Sequence, residues 1–394
     1  MQRITNIGEL VTNDPTLGEG PLGVIRNAAV VFDERITWVG PSDEVPAANI
    51  SFDAAGCSVI PGFVDSHAHL VFAGDRSQEF AARMSGVPYA AGGIHTTVAA
   101  VRSSDDHALR ANLQTLSDEL RCAGVTHFEC KSGYGLTTHD ELRAVRIARE
   151  FTDDVTLLAA HVVPQEFADR PDEYVDLIIQ EMLPAARGIA RWVDVFCDRG
   201  AFTELQTRRI LAAARDFGFS LRLHANQLGP SSAVEVAMEF DCASADHCTN
   251  VTDAQVAKLA DSSTVATLLP GAEFSTRAVY PSGRRLLDAG VTVALATDCN
   301  PGSSFTTSMS FCIAVAVRDM GMTTAEALWA ATAGGAAALR RSDVGRLSVG
   351  ARADIVRLSA PTYVHLAYRP GVPLVEDVWC QGTHAVHEGK LVHD

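Results

Sequence analysis

The chain lacks any run of about 18 uninterrupted apolar residues, the length that a membrane-spanning helix requires. Its first residues, Met1-Gln2-Arg3-Ile4-Thr5-Asn6, show no basic segment followed by a long apolar core, so no secretory leader is expected and a cytoplasmic location is. Nine cysteines are present, but none forms a Cys-x-x-Cys pair and their number is odd. This disfavours a disulfide framework or a thiolate zinc site, and the cysteines read as reduced thiols. Positive charge is in short supply: 32 Lys and Arg face 48 Asp and Glu, for a formal net charge of −16. Such a field repels nucleic acid and anionic membranes, so neither is expected as a partner, and an anionic small-molecule substrate would need a local cation.

What the chain does have is core-forming material, 47% of 394 residues being hydrophobic. A length prior of about 150 residues per domain suggests two or three domains, and an α/β barrel of about 250 residues with an accessory domain fits equally well. Residues 1–58 hold short β-like runs, such as Ala28–Phe32 and Ile36–Pro41, separated by turn residues. From residue 59 onward eight β-forming runs begin at Val59, Gly124, Asp154, Trp192, Phe219, Ala243, Thr264 and Val291. Helical patterns over 105–121, 139–151, 172–187, 203–217, 231–240, 252–261 and 281–290 lie between them. Repeated strand-then-helix units predict an α/β fold, a TIM (β/α)8 barrel over residues 59–344. A doubly wound open sheet is the competing arrangement, but no Gly-rich phosphate loop follows the first run. Two Ala-rich helical segments follow near 307–318 and 323–339, and β character returns at Gly345–Leu358. Chain ends commonly lie at the surface, so 1–58 and 345–394 are expected to combine into one small β-sandwich domain.

Barrel chemistry sits at the C-terminal ends of the strands. The first run ends in His67-Ala68-His69, and on a strand residues i and i+2 face the same way. The fifth run ends in His224, the sixth in His247 and the eighth in Asp298. Neutral imidazoles and a carboxylate are ligands for zinc or iron, and a catalytic ion keeps one coordination position open. Each residue taken singly is also compatible with ordinary packing; it is their shared position at strand ends that points to a metal.

Longer motifs narrow this reading. They are His67-Ala68-His69-Leu70-Val71-Phe72-Ala73-Gly74-Asp75-Arg76, Glu129-Cys130-Lys131-Ser132-Gly133-Tyr134-Gly135-Leu136, Ala160-His161-Val162-Val163-Pro164, Val193-Asp194-Val195-Phe196-Cys197 and Ala296-Thr297-Asp298-Cys299-Asn300-Pro301-Gly302-Ser303-Ser304. Spread through most of the chain, they resemble the amidohydrolase superfamily of metal-dependent hydrolases, and within it the imidazolonepropionase family of histidine degradation. The resemblance implies that His67, His69, His224 and Asp298 hold one zinc or iron ion per chain. It also implies that Arg76, Tyr134, His161, Asn300, Gly302 and Ser303 bind substrate or product, and that the enzyme is a homodimer. The implied reaction opens 4-imidazolone-5-propanoate to N-formimidoyl-L-glutamate. Arg76 suits a propionate carboxylate, because a guanidinium presents a planar fork of donors.

In that scheme Asp298 takes a proton from the attacking water, and His247 stabilises the oxyanion or assists proton transfer. Lys131 raises the possibility of a carboxylated lysine bridging two metals. Related hydrolases place that lysine after the fourth strand, where this chain has Phe196-Cys197-Asp198, so one metal is expected. One position departs from the family pattern. Ala-Asp-Glu often follows the fifth-strand histidine, whereas this chain reads Ala225-Asn226-Gln227. Glutamine does not titrate and cannot serve as a general base, so Gln227 is assigned to substrate binding. Either this branch tolerates glutamine or its substrate has changed; the intact Asn300–Ser303 loop favours the first. The rival readings are another cyclic amidohydrolase or a heterocycle deaminase and, from a different class, a catalytically inactive barrel scaffold.

Overall fold

The computed structural model describes residues 1–86 and 93–392. Eight barrel strands follow one another along the chain: Phe63–Asp65, Val125–Lys131, Asp154–Ala160, Trp192–Cys197, Ser220–Leu221 continued by Leu223–Ala225, Ser244–His247, Val265–Leu268 and Val293–Leu295. In the sheet each lies beside its neighbour in sequence, and from the second strand to the eighth the pairings are parallel. This order never reverses, which sets the sheet apart from a doubly wound one, where a switch of direction creates the binding crevice. Every residue of Asp154–Ala160 and Trp192–Cys197 is buried, as expected of parallel strands covered on both faces. The helices between strands start where the sequence supplies a cap. Thr137 accepts from Asp140 N, while Thr203 with Gln206 and Thr252 with Gln255 form reciprocal capping boxes.

A second nine-stranded sheet joins the two terminal segments. Its order is Lys390–Leu391, Thr383–His387, Val375–Cys380, Ile355–Leu358, Ser58–Pro61, Gln2–Val11, Val24–Phe32 and Ile36–Pro41, with Ile50–Asp53 also pairing to Gln2–Val11. Its core is apolar and includes Ile4, Ile7, Leu10, Val30, Phe32, Val59, Leu347, Ile355 and Trp379. The chain separates into two compact units, one made of Met1–Asp65, Asp118–His127 and Thr307–Asp394, the other of Ser66–Ser117 and Phe128–Thr306. Among the described residues no helix is long and apolar enough to cross a membrane.

Two details differ from the sequence reading. The run beginning at Val59 serves both sheets: Ser58–Pro61 joins the terminal sheet and Phe63–Asp65 the barrel. The change occurs at Gly62, where a Cβ would come within 2.1 Å of Thr126 Oγ1. Gly62 N donates to Asp354 O and Phe63 N to Gly124 O, so successive amides turn to different partners. The long strand Gln2–Val11 was not expected. Asn6 adopts a left-handed φ of 53° and the register shifts between Ile4 and Ile7, which breaks the alternation that would reveal a strand.

Candidate metal and substrate site

His67 and His69 lie just past the last residue of the first barrel strand, in an extended continuation of it. This segment pairs with the one following the eighth strand: Asp298 N donates to His67 O and His69 N to Cys299 O, each at 2.9 Å. The two ends that close the barrel therefore carry three of the expected metal ligands. His67 Nε2 and His69 Nε2 are 3.2 Å apart, and Asp298 Oδ1 is 3.4 Å from each. Around a tetrahedral ion with bonds of about 2.1 Å, neighbouring ligand atoms stand about 3.4 Å apart, so the donor set fits one such ion. His224 converges on the same point as His67 and His69. His69 Nδ1 and His247 Nδ1 are buried without a hydrogen-bond partner.

Two of the imidazoles, those of His67 and His224, are aimed from below by carboxylates. His67 donates from Nδ1 to Asp246 Oδ2 at 2.7 Å, which leaves Nε2 as the lone-pair atom facing its neighbours. His224 Nδ1 stands 3.0 Å from Asp194 Oδ2. Lys131 in turn binds Asp194 Oδ2 at 2.9 Å and Glu129 Oε1 at 2.8 Å, while Arg222 Nη2 lies 3.2 Å from Asp246 Oδ2 and donates to Ser66 O. All five charged side chains are fully buried. Burial alone would raise the pKa of Asp246, but Arg222 and His67 outweigh it and hold the carboxyl well below the usual range. Burial lowers the Lys131 pKa, yet Asp194 and Glu129 more than restore it, so the amine is a cation held in ion pairs.

Burial drives the imidazoles of His69 and His247 down to about 3, which keeps both neutral and able to accept or ligate near pH 7. Burial opposes ionisation of Asp298, but hydrogen bonds with His67 and His69 hold its carboxyl well below the ordinary value. The backbone here is unusual as well: Asn226, His247, Cys248 and Asp298 all have left-handed φ, at 55°, 76°, 52° and 52°. Such conformations are costly for non-glycine residues and cluster where side chains must be aimed.

His69, Arg76, Tyr134, His161, His224, Gln227, His247, Asp298, Asn300, Gly302 and Ser303 line one pocket with about 470 Å³ of atom-free space, and His67 is buried outside that lining. The structure thus brings the expected residues together, and several of them already have partners within the protein. The Arg76 fork is already engaged, Nε and Nη2 donating to the two oxygens of Glu79 at 3.0 and 2.6 Å. Its Nη1 lies over Gly302, where a Cβ would approach within 2.3 Å, so that glycine makes room for the guanidinium. Asn300 uses its amide within its own loop, accepting from Gly302 N and Ser303 N at 2.8 Å and donating to Asp298 O at 2.6 Å. His161 donates from Nδ1 to Gly133 O at 3.0 Å and stacks on His69 with rings 5.4 Å apart.

Ile94, Val162 and Phe196 also line the pocket, although the sequence reading gave them no role. The supporting charges Glu129, Asp194, Arg222 and Asp246 were missed too. Their signal is an ionisable residue inside a run of strand-forming apolar residues, as in Trp192-Val193-Asp194-Val195-Phe196.

Comparison with known proteins adds an independent line. The model of the amidohydrolase family matches residues 58–386. An imidazolonepropionase from Mycolicibacterium smegmatis is 63% identical over 380 residues, covering 96% of each chain. Another from Streptomyces griseus subsp. griseus is 62% identical over 385 residues, covering 97% of this chain and 99% of that one. Among solved structures, atrazine chlorohydrolase TrzN from Arthrobacter aurescens TC1 complexed with zinc superimposes with a TM-score of 0.75 at 16% identity, over 100% of this chain and 97% of its own. An adenosine deaminase from Xanthomonas campestris with bound zinc gives 0.72 at 19%, over 100% and 94%. At these identities the structural likeness is one of fold.

Proposed function

The chain belongs to the amidohydrolase family, and within it to the imidazolonepropionases; from this membership we propose how the barrel pocket hydrolyses 4-imidazolone-5-propanoate to N-formimidoyl-L-glutamate in histidine degradation. The observation that carries the reading is that His67 and His69 gather with His224 on one side and with Asp298 Oδ1, 3.4 Å from each, on the other, beside a pocket that also holds Arg76.

We assign one zinc or iron ion per chain to those four ligands. A bound ion would supply Lewis acidity, polarising a carbonyl and bringing the pKa of a water toward about 7. The chain's own residues supply the rest. Asp298, ionised and within 3.5 Å of the Ser303 hydroxyl, takes the proton of the attacking water and returns it to the ring nitrogen that leaves. Neutral His247 stabilises charge developing on the carbonyl oxygen. Arg76, steadied by Glu79, offers Nη1 to the propionate carboxylate of an anionic substrate. Tyr134 and His161 orient the ring, and Gln227 hydrogen-bonds it without titrating. Asn300, through Gly302 and Ser303, holds the loop that presents these groups. We further propose a cytoplasmic homodimer; the nine free cysteines suit a reducing compartment.

The test is direct detection of N-formimidoyl-L-glutamate formed by metal-replete protein, with and without a chelator. Chelator-sensitive turnover supports the reading. Ammonia release without ring opening would instead identify a deaminase. Gln227→Glu should fold and keep its metal, and complete loss of metal would place residue 227 wrongly.

A further inference from the structure

The terminal sheet carries a second convergence of imidazole and carboxylate, which the hydrolytic pocket leaves unused. Asp377 lies on strand Val375–Cys380, and His384 and His387 lie on the adjacent antiparallel strand Thr383–His387. Asp377 Oδ1 stands 3.0 Å from His384 Nε2 and 2.7 Å from His387 Nδ1, and one donor atom from each residue lies within 4.8 Å of the others. We propose that these three side chains form a second metal site, for a borderline divalent transition ion such as Zn2+, Ni2+ or Cu2+, whose affinity for mixed nitrogen and oxygen donors is high.

The donors are positioned before any ion arrives. The His384 ring stacks on Trp379 at 4.6 Å and 10°, and meets Phe52 edge-on at 5.2 Å, so packing fixes where Nε2 points. Arg357 grips Asp377 Oδ2 through Nε and Nη2, both at 2.5 Å, which sets the carboxylate plane and leaves Oδ1 for ligation. The positive charge of Arg357 does not stand alone: Glu376 lies 3.8 Å from it and Asp53 feels its field, while Glu388 acts on His387. Side-chain exposure rises from 6% at Asp377 through 22% at His384 to 58% at His387, giving an ion a route in and water access to the remaining positions. Ligand atoms around a tetrahedral ion would stand about 3.4 Å apart, so the cluster has to open by about half an ångström, and exposed His387 is free to supply that movement. The competing arrangement is a carboxylate that serves only as acceptor for two imidazole N–H groups.

Titration with Ni2+ of protein already replete in its hydrolytic metal separates the two, because a paramagnetic ion at His384 quenches the stacked Trp379. The expected result is one further equivalent of Ni2+ per chain with partial loss of tryptophan emission, competed by Zn2+. His387→Ala should weaken this binding by at least about tenfold, as should His384→Gln, while turnover without added Ni2+ stays at the wild-type level and shows that the variants are folded. The absence of a further equivalent, or unchanged binding and quenching in the doubly substituted chain, overturns the proposal.

Discussion

The interior of the barrel and the core of the terminal sheet are both buried, yet they are built from opposite materials. Beneath the pocket sit Lys131, Arg222, Glu129, Asp194 and Asp246, two cations among three carboxylates. The terminal sheet buries Ile4, Ile7, Leu10, Val30, Phe32, Ile355 and Trp379 instead. A buried ion pair contributes little stability over an apolar pair of the same size, whereas losing one partner is expensive. The barrel charges are therefore best understood as aiming devices. They fix which nitrogen of His67 and His224 faces the site, a task that apolar side chains cannot perform.

That contrast can be broken at four points. The largest effect is expected at the pocket itself: Asp298→Ala should lower turnover by about a thousandfold or more while the fold survives, and near-normal rates would remove Asp298 from the chemistry. Lys131→Met should cost about 3–5 kcal/mol in urea unfolding, because it leaves Asp194 and Glu129 uncompensated, and should weaken metal retention as well. If Lys131→Met proves neutral on both counts, the aiming account fails. Leu10→Ala, in the apolar core, should cost about 2–4 kcal/mol yet leave kcat unchanged at a temperature where the chain stays folded. A matching fall in kcat would show that the two cores are not separable in function. The smallest effect concerns pH. Burial opposes ionisation of Asp377, but its contacts with His384, His387 and Arg357 bring its carboxyl down to about 2, below the unfolded value of about 3.9. Its stabilisation is present above pH 4 and fades as pH falls toward 2, so in chelator-treated protein the gap between wild type and Asp377→Asn should close over that window. A gap independent of pH would deny Asp377 this part.

The same contrast explains what could be read from the sequence. Alternating apolar runs and helical spacing exposed the eight strand-then-helix units, since hydrophobic burial writes itself into local periodicity. His67, His69, His224, His247 and Asp298 were legible because each closes a recognisable strand run. Asp246, one residue before His247, was not, because its partners His67 and Arg222 come from other strands and only the barrel's register brings them together. The engagement of Arg76 by Glu79 was hidden for another reason: a three-residue spacing permits the contact, but the chain alone does not say whether the fork turns to a neighbour or to a ligand. Gln2–Val11 escaped notice because the irregularity at Asn6 disrupts the very period by which strands are recognised.

The pairing of Ser58–Pro61 with Gln2–Val11 on one side and Ile355–Leu358 on the other has a consequence for biosynthesis. Ile355–Leu358 is translated roughly 300 residues after Ser58–Pro61 itself, an interval of about 15–60 s at about 5–20 residues per second. Until it emerges, the nascent chain holds an apolar strand edge with open hydrogen-bonding groups, the kind of surface that pairs with other chains. The interval between the synthesis of Ser58–Pro61 and that of Ile355–Leu358, more than the finished fold, is thus when this edge is open to pairing with other chains.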